Sequence, residues 1–269
     1  MNKAKMALQH LGPILRGFPR FFLESPLFAC RLFVLRLGYF LTHRQLFPLK
    51  DPTGFPIDNS HLLISYWAFF VERESQRHPW VEDFRQAASP LALDVGANGG
   101  VFSHLLITLN PRVRLYLFEP LPAMAERLFR WQSRIEEDLT VWGAACGAIP
   151  GEKTLYFSHP GDTDARIGPQ GPNLEPPEEM KENSAIVPMV TLDSTVPDAD
   201  IFLMKVDAQG SELSVLRGGQ KAVANSRYLL LELATSKELS AARRELGPDW
   251  CCDKVSRADY LFYRRTTGR

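Results

Sequence analysis

Cysteine is scarce in this chain: 269 residues contain four, Cys30, Cys146, Cys251 and Cys252. No Cys-x-x-Cys pair and no Cys/His cluster has the spacing of a zinc site, so no metal is expected. The adjacent Cys251 and Cys252 are hard to bridge to each other. Without a disulfide framework the chain suits a reducing compartment, and a cytoplasmic location is expected. Long hydrophobic runs are missing too. Residues 27–41 are the most apolar stretch, but they number 15 and are interrupted by Arg31 and Arg36, short of the roughly 20 residues that cross a bilayer. Pro13, Pro19, Glu24 and Pro26 break up any single hydrophobic region of a signal peptide. A basic field is absent as well. Lysine plus arginine equal aspartate plus glutamate at 31 each, which argues against a nucleic-acid partner. No internal repeat is visible.

The charge balance hides an asymmetry. Residues 1–50 hold eight basic side chains against Glu24 alone, a balance of +7, so the remainder carries −7. Residues 1–50 therefore read as a basic, aromatic-rich helical segment, 51–88 as a helical lead-in and 89–269 as the main domain. Three readings of the first 46 residues stay open: an interfacial helix with its arginines among lipid headgroups, a helical cap docked on the protein, and a targeting sequence. Tyr66, Trp67, Phe69 and Phe70 sit in a helix-like run. A hydrophobic content of 45% supplies enough apolar side chains for a sizeable core.

From residue 91 onward, short apolar runs alternate with helical periodicity: 91–95, 101–109, 114–118, 121–132, 139–142, 201–206, 211–218 and 227–232, with a final pair of strands near 250–252 and 260–264. Such alternation predicts a doubly wound α/β sheet with helices on both faces. It lapses between 151 and 190, where two possible strands, 153–158 and 186–190, flank a Gly/Pro-rich loop over 159–184. That loop is either a cover for the cofactor edge or a surface insertion.

Two constellations carry chemistry. In the first, Leu91-Ala-Leu-Asp-Val-Gly-Ala-Asn-Gly-Gly100 is a strand opening into a glycine-rich turn, and a second strand ends at Glu119, 19 residues beyond Gly100. An acid at that position can take both hydroxyls of a ribose. A dinucleotide fingerprint needs glycine at the first, third and sixth places. Counted from Gly96, the third and sixth are Asn98 and Val101, so a pyrophosphate and a nicotinamide-dependent oxidoreductase are disfavoured. Asp94 repels phosphate and attracts an ammonium. S-adenosylmethionine combines ribose, adenine and an ammonium, and is the expected cofactor. The alternative is a glycine-rich turn of some other doubly wound protein.

The second constellation, residues 201–219, runs a strand into a helix with Lys205, Asp207, Gln209 and Glu212 at the junction. Ligands of open α/β sheets bind beyond the carboxyl ends of the strands, so these side chains are expected to face the same crevice as Gly96 and Glu119. Asp-Val-Gly-Ala-Asn-x-Gly, Phe-Glu-Pro, Thr191-Leu192-Asp193 and Lys-x-Asp-x-x-Gly-x-Glu, in this order, resemble the FkbM family of S-adenosylmethionine-dependent methyltransferases over about residues 88–264. The resemblance implies a class I methyltransferase (Rossmann-like) fold, mostly parallel with an antiparallel last strand. It also implies O-methylation of a hydroxyl on a sugar, glycolipid or related metabolite. On it, Asp94, Gly96 and Asn98 hold the methionine end of the cofactor, Glu119 its ribose, and Ala144 and Ala145 wall the adenine.

One position departs from the pattern: where the family usually reads Asp-x-Glu-Gly, this chain has Asp207-Ala208-Gln209-Gly210. Glutamine takes up no proton, so a base role there is in doubt. Asp207, Lys205 and Glu212 are the expected catalytic residues, with Asp207 as candidate base. A Lys205–Glu212 salt bridge that orients the strand end is the alternative for those two, and a helix N-cap is the alternative for Asp193. His104 reads as packing and His159 as an outside candidate base. The competing function is a non-catalytic cofactor-binding or scaffold protein of the same fold. The expected partner is a small-molecule, sugar or lipid-linked acceptor, with peripheral membrane contact through residues 1–46.

Overall fold

Every residue of the run 91–95 is buried, as a strand covered by helices on both faces must be. It lies at the centre of a sheet that the computed structural model shows in full. The structure describes residues 23, 25–42, 47–58, 60–72, 78–159, 162, 164–168 and 183–264. The chain divides into two compact units, residues 1–77 and 78–269.

In the first unit, helix α1 spans Pro26–Thr42. A short antiparallel ladder joins β1 (Leu49–Lys50) to β2 (Pro56–Ile57), and helix α2 (Ser60–Tyr66) continues as a π-helical turn over Trp67–Glu72. Asp51 closes the β1–β2 turn, its Oδ1 accepting from the Thr53 and Phe55 amides, both at 2.9 Å. Tyr66 stacks on Phe70 with ring centroids 4.3 Å apart, so the aromatic run builds this unit's core. Residues 1–22, part of the expected membrane segment, lie outside the described residues. Among the described residues no helix is long and apolar enough to cross a membrane.

The second unit begins with α3 (Trp80–Gln86) and then alternates. The order is β3 (Leu91–Val95), α4 (Val101–Leu109), β4 (Arg114–Phe118), α5 (Pro122–Gln132), β5 (Asp138–Trp142), β6 (Ala145–Cys146), β7 (Gly151–Tyr156), β8 (Arg166–Ile167) and β9 (Ser184–Val190). There follow α6 (Leu192–Thr195), β10 (Ile201–Val206), α7 (Glu212–Gly218), α8 (Gln220–Ala224), β11 (Ser226–Glu232), α9 (Ser236–Leu246), β12 (Trp250–Lys254) and β13 (Asp259–Arg264). The main sheet has seven strands in the order β12-β13-β11-β10-β3-β4-β5. Its four pairings from β11 to β5 are parallel and only β13 runs against its neighbours. This is the class I methyltransferase sheet with its antiparallel last strand.

The region where the alternation lapses is a second sheet, β6-β9-β7-β8. The two strands expected there are β7 and β9, paired antiparallel over six residue pairs. β9 alternates between exposed and buried residues because one face covers a small core of Leu121, Leu155, Val187 and Met189. Gly/Pro punctuation hid this hairpin from a reading of periodicity. Residues 169–182 of the loop between them lie outside the described residues.

Candidate active site

The parallel ladder does not stop where the strands end. The amides of Gly96 and Ala97 donate to the Phe118 carbonyl, Glu119 N–H to the Trp142 carbonyl, and Asp207 N–H to the Val95 carbonyl, at 2.9–3.1 Å. These bonds hold the loops after β3, β4 and β10 in fixed register along one edge. Gly96 has φ +79, and a Cβ built on it would stand 1.8 Å from the Asp207 carbonyl oxygen. Only glycine allows the β3 and β10 tips to approach so closely. Among the described residues, Asn98 and Gln209 are the non-glycine residues with positive φ, at 47° and 49°, one in each of the two motif loops.

Glu119 is buried, and its two oxygens accept from the amides of Asn98 and Leu121, both at 2.7 Å. A carboxylate offers about four acceptor sites, so two remain for hydroxyl donors. Burial pushes its carboxyl up to about 7, against those two hydrogen bonds. The Asn98 side chain reaches the Asp162 carbonyl at 3.2 Å. Asp162 in turn takes the Ser158 and Asp164 amides, which ties the start of the 159–184 loop to the glycine-rich turn. Ala144 and Ala145 are buried immediately beyond β5.

A line of charge crosses the tips of β3 and β10. Asp94 and Lys205 are register partners, and both are buried. Lys205 Nζ lies 3.1 Å from Asp207 Oδ2 and 3.9 Å from Asp94 Oδ1, with the Phe102 ring 5.7 Å away. Burial disfavours the ammonium, but the two carboxylates outweigh it and hold Lys205 above the usual lysine range. For Asp207 burial is again opposed by Lys205 and by hydrogen bonds, and its carboxyl sits below the usual range. Asp94 is the reverse. Burial pushes it up despite Lys205 and despite the Ser103 hydroxyl, which donates to Oδ2 at 2.6 Å. Asp94 Oδ1 is buried with no hydrogen-bond partner.

Gln209 donates through Nε2 to Asp207 Oδ1 at 2.8 Å and to Glu232 Oε2 at 3.2 Å. Glu232, the last residue of β11, escaped the sequence reading, although the carboxyl-end rule that selected Glu119 and Asp207 applies to it equally. Ser103 was missed too, because a serine inside an apolar helix carries no signal of its own. The structure joins Lys205 to Asp207 and Asp94 rather than to Glu212. Glu212 Oε1 instead accepts the Ala208 and Gly210 amides at 3.0 Å and closes its own loop. Asp193 caps a helix, though not the one it lies in: its carboxylate takes the Lys221 and Ala222 amides of α8, both at 3.0 Å. His104 is buried edge-on against Trp131, 6.3 Å between centroids.

Among the described residues, no three His, Cys, Asp or Glu side chains converge as a metal-holding group. A cavity of about 790 Å³, lined in part by Phe202, Arg227 and Tyr228, opens at the amino ends of β10 and β11. It contains none of these carboxylates.

A family model described as methyltransferase FkbM domain matches residues 94–250. The 2-O-methyltransferase NoeI of Sinorhizobium fredii is 25% identical over 166 residues, covering 58% of this chain and 68% of that protein. The methyltransferase FkbM of Methylobacillus flagellatus is a similar solved structure, with TM-score 0.46, 17% identity and coverage of 75% of this chain and 53% of that one. The N-terminal domain of human METTL16, solved with SAH, has TM-score 0.45 and 10% identity, covering 92% and 93%.

Proposed function

Because the chain belongs to the FkbM methyltransferase family, and is accordingly a methyltransferase, we propose that it uses S-adenosylmethionine to methylate a hydroxyl of a sugar, glycolipid or related metabolite. The observation that carries this reading is the edge formed by Asp94, Glu119, Lys205 and Asp207 at the carboxyl ends of three neighbouring parallel strands. The chemistry of these groups fits the cofactor. Glu119 keeps acceptor capacity for two ribose hydroxyls beyond its two amides. Asp94 presents a buried oxygen that accepts no hydrogen bond and has Lys205 Nζ 3.9 Å away, leaving acceptor capacity for an ammonium, directly or through water. Gly96 and Asn98 shape the turn beside it, and Ala144 and Ala145 form an apolar wall for a flat ring. When bound, S-adenosylmethionine supplies a methyl carbon activated on a sulfonium.

The residues then have mainly to orient an acceptor, since positioning contributes most to such a displacement. Asp207, kept ionised by Lys205, is the candidate for receiving the hydroxyl proton. Glu212 positions the loop that carries it. NoeI, a 2-O-methyltransferase by name, supports oxygen as the acceptor atom. The test is calorimetric titration with S-adenosylmethionine and S-adenosylhomocysteine, followed by turnover against a panel of hydroxylated glycosides, with S-adenosylhomocysteine release as readout. Micromolar binding with turnover on a hydroxyl acceptor is expected; absence of binding would sink the reading.

The proposal includes a cytoplasmic location, supported by a sequence with only four cysteines and no disulfide framework, and peripheral membrane contact through residues 1–46. Basic side chains near an anionic surface contribute about 1 kcal/mol each. Full-length protein is expected to co-sediment with anionic vesicles and to be released by salt. Equal pelleting with zwitterionic vesicles at every salt concentration would remove the membrane contact.

A further inference from the structure

We propose that Glu232 and Asp207 form one proton-sharing acid pair, clamped by the Gln209 amide, and that Glu232 thereby sets the protonation of the carboxylate that accepts the substrate's proton. The part of this statement that concerns catalysis rests on the methyltransferase reading above; the pair itself does not.

The juxtaposition follows from register. β10 and β11 are parallel with Val206 opposite Leu231, so the next residues, Asp207 and Glu232, leave the sheet side by side. Two carboxylates at such range repel each other unless a proton or a donor stands between them. Gln209 supplies a donor to both, at 2.8 and 3.2 Å, from a backbone held at φ 49°. A glutamate at this position would place a third acid against two and could donate only when protonated. The glutamine that departs from the family pattern is therefore suited to this chain's acid pair.

The remaining charges around the pair favour keeping one proton on it. Asp94 faces it from β3 and Lys205 from β10, while Asp259 from β13 is the register partner of Glu232. With Glu119 and Glu212 also acting on Asp207, carboxyls outnumber the one ammonium. The proton is held asymmetrically. The hydrogen bond to Asp207, then burial, raises the Glu232 carboxyl to about 9, whereas Lys205 on the far side keeps Asp207 ionised. At neutral pH the pair is Glu232–COOH with Asp207–COO⁻. As the acceptor's C–O bond forms and the C–S electron pair leaves with sulfur, the hydroxyl proton passes to Asp207. The pair is then fully protonated and returns one proton to solvent. Glu232 acts through Asp207 and is a positioning residue.

Infrared titration of the ligand-free protein carrying ¹³C-labelled glutamate tests the pair directly. A protonated glutamate carbonyl band that remains above pH 8, where Glu119 is ionised, titrates away near pH 9 and vanishes in Glu232→Gln is expected; a band above pH 8 that persists in Glu232→Gln overturns the pair. Gln209→Met, which leaves both acids in place, is expected to move that midpoint by about one pH unit through loss of hydrogen bonds, and an unmoved midpoint overturns the clamp. In turnover, Glu232→Gln is expected to lower kcat about a hundredfold, the low end for impaired proton transfer, to shift its pH profile, and to leave S-adenosylhomocysteine affinity within about twofold of wild type. An unchanged pH profile overturns the catalytic part. Wild-type protein that binds no cofactor but shows the infrared band would sink the methyltransferase site and leave the acid pair standing.

Discussion

Glu119→Ala is expected to weaken S-adenosylmethionine binding by about 10²–10⁴-fold. Hydrogen bonds to a charged acceptor contribute roughly 1.5–3 kcal/mol each, two ribose hydroxyls are at stake, and about 1.4 kcal/mol is a factor of ten. The variant also strips the Asn98 and Leu121 amides of their shared acceptor, so the glycine-rich turn loosens as well. Its pH dependence is a further check. The carboxyl is raised from 4.5 to about 7 in the folded chain, and hydroxyl donors favour its ionised form. Wild-type affinity is therefore expected to rise as pH increases to about 7 and then level off, with proton release on binding below that pH. Folding stability runs the other way. A raised native pKa means extra protons bound by the native state between about 4.5 and 7, so this contribution is complete below that window and lost as pH rises through it. Calorimetry in buffers of different ionisation enthalpy measures the proton release. Binding by Glu119→Ala as tight as wild type would remove Glu119 from the cofactor site.

Lys205→Met is expected to cost about 3–5 kcal/mol of stability at neutral pH, the usual consequence of removing one partner from a buried charge cluster. Asp94 is wholly buried and Lys205 nearly so. Without the ammonium, Asp94 and Asp207 face each other uncompensated except by the Ser103 and Gln209 donors. Both carboxyls then rise, and a raised carboxyl stabilises the fold only while protonated. The deficit is expected to shrink in acid and to grow as pH rises toward neutrality. Adding Asp94→Asn and Asp207→Asn, which removes the orphaned charge, is expected to restore much of the loss. Urea unfolding at two pH values reads this out, and a pH-independent loss below about 1 kcal/mol would show that the lysine acts through its alkyl stem alone.

The fold was largely legible in the sequence. Runs such as 91–95 and 201–206 are apolar but for Asp94 and Lys205 near their ends, because both faces of a parallel sheet are covered, and that signal survives without any knowledge of neighbours. The hairpin β7–β9 was only half visible, since Pro188 lies within one strand and a 26-residue Gly/Pro-rich loop separates the two expected strands. The candidate site divides along the same line. Asp94, Glu119 and Asp207 stand at strand ends next to turn residues, a local pattern. Glu232 also stands at a strand end but without turn residues beside it, and Ser103 and Asp259 carry no local pattern; Glu232 and Asp259 meet the others because the sheet order sets β3, β10, β11 and β13 side by side, and Ser103 because α4 brings its hydroxyl to Asp94.

The sequence alone determined the doubly wound architecture, the glycine-rich turn and the acids at the strand tips, because hydrophobic period and backbone freedom are properties of short segments. Tertiary structure decided which charges neutralise which. Lys205 could have met Glu212 along the chain but meets Asp94 across the sheet, and Gln209, a weakened site by motif, becomes a donor between two carboxyls 25 residues apart in sequence. Electrostatic partnership depends on distance and burial, and both are set by register between strands that the chain brings together only on folding.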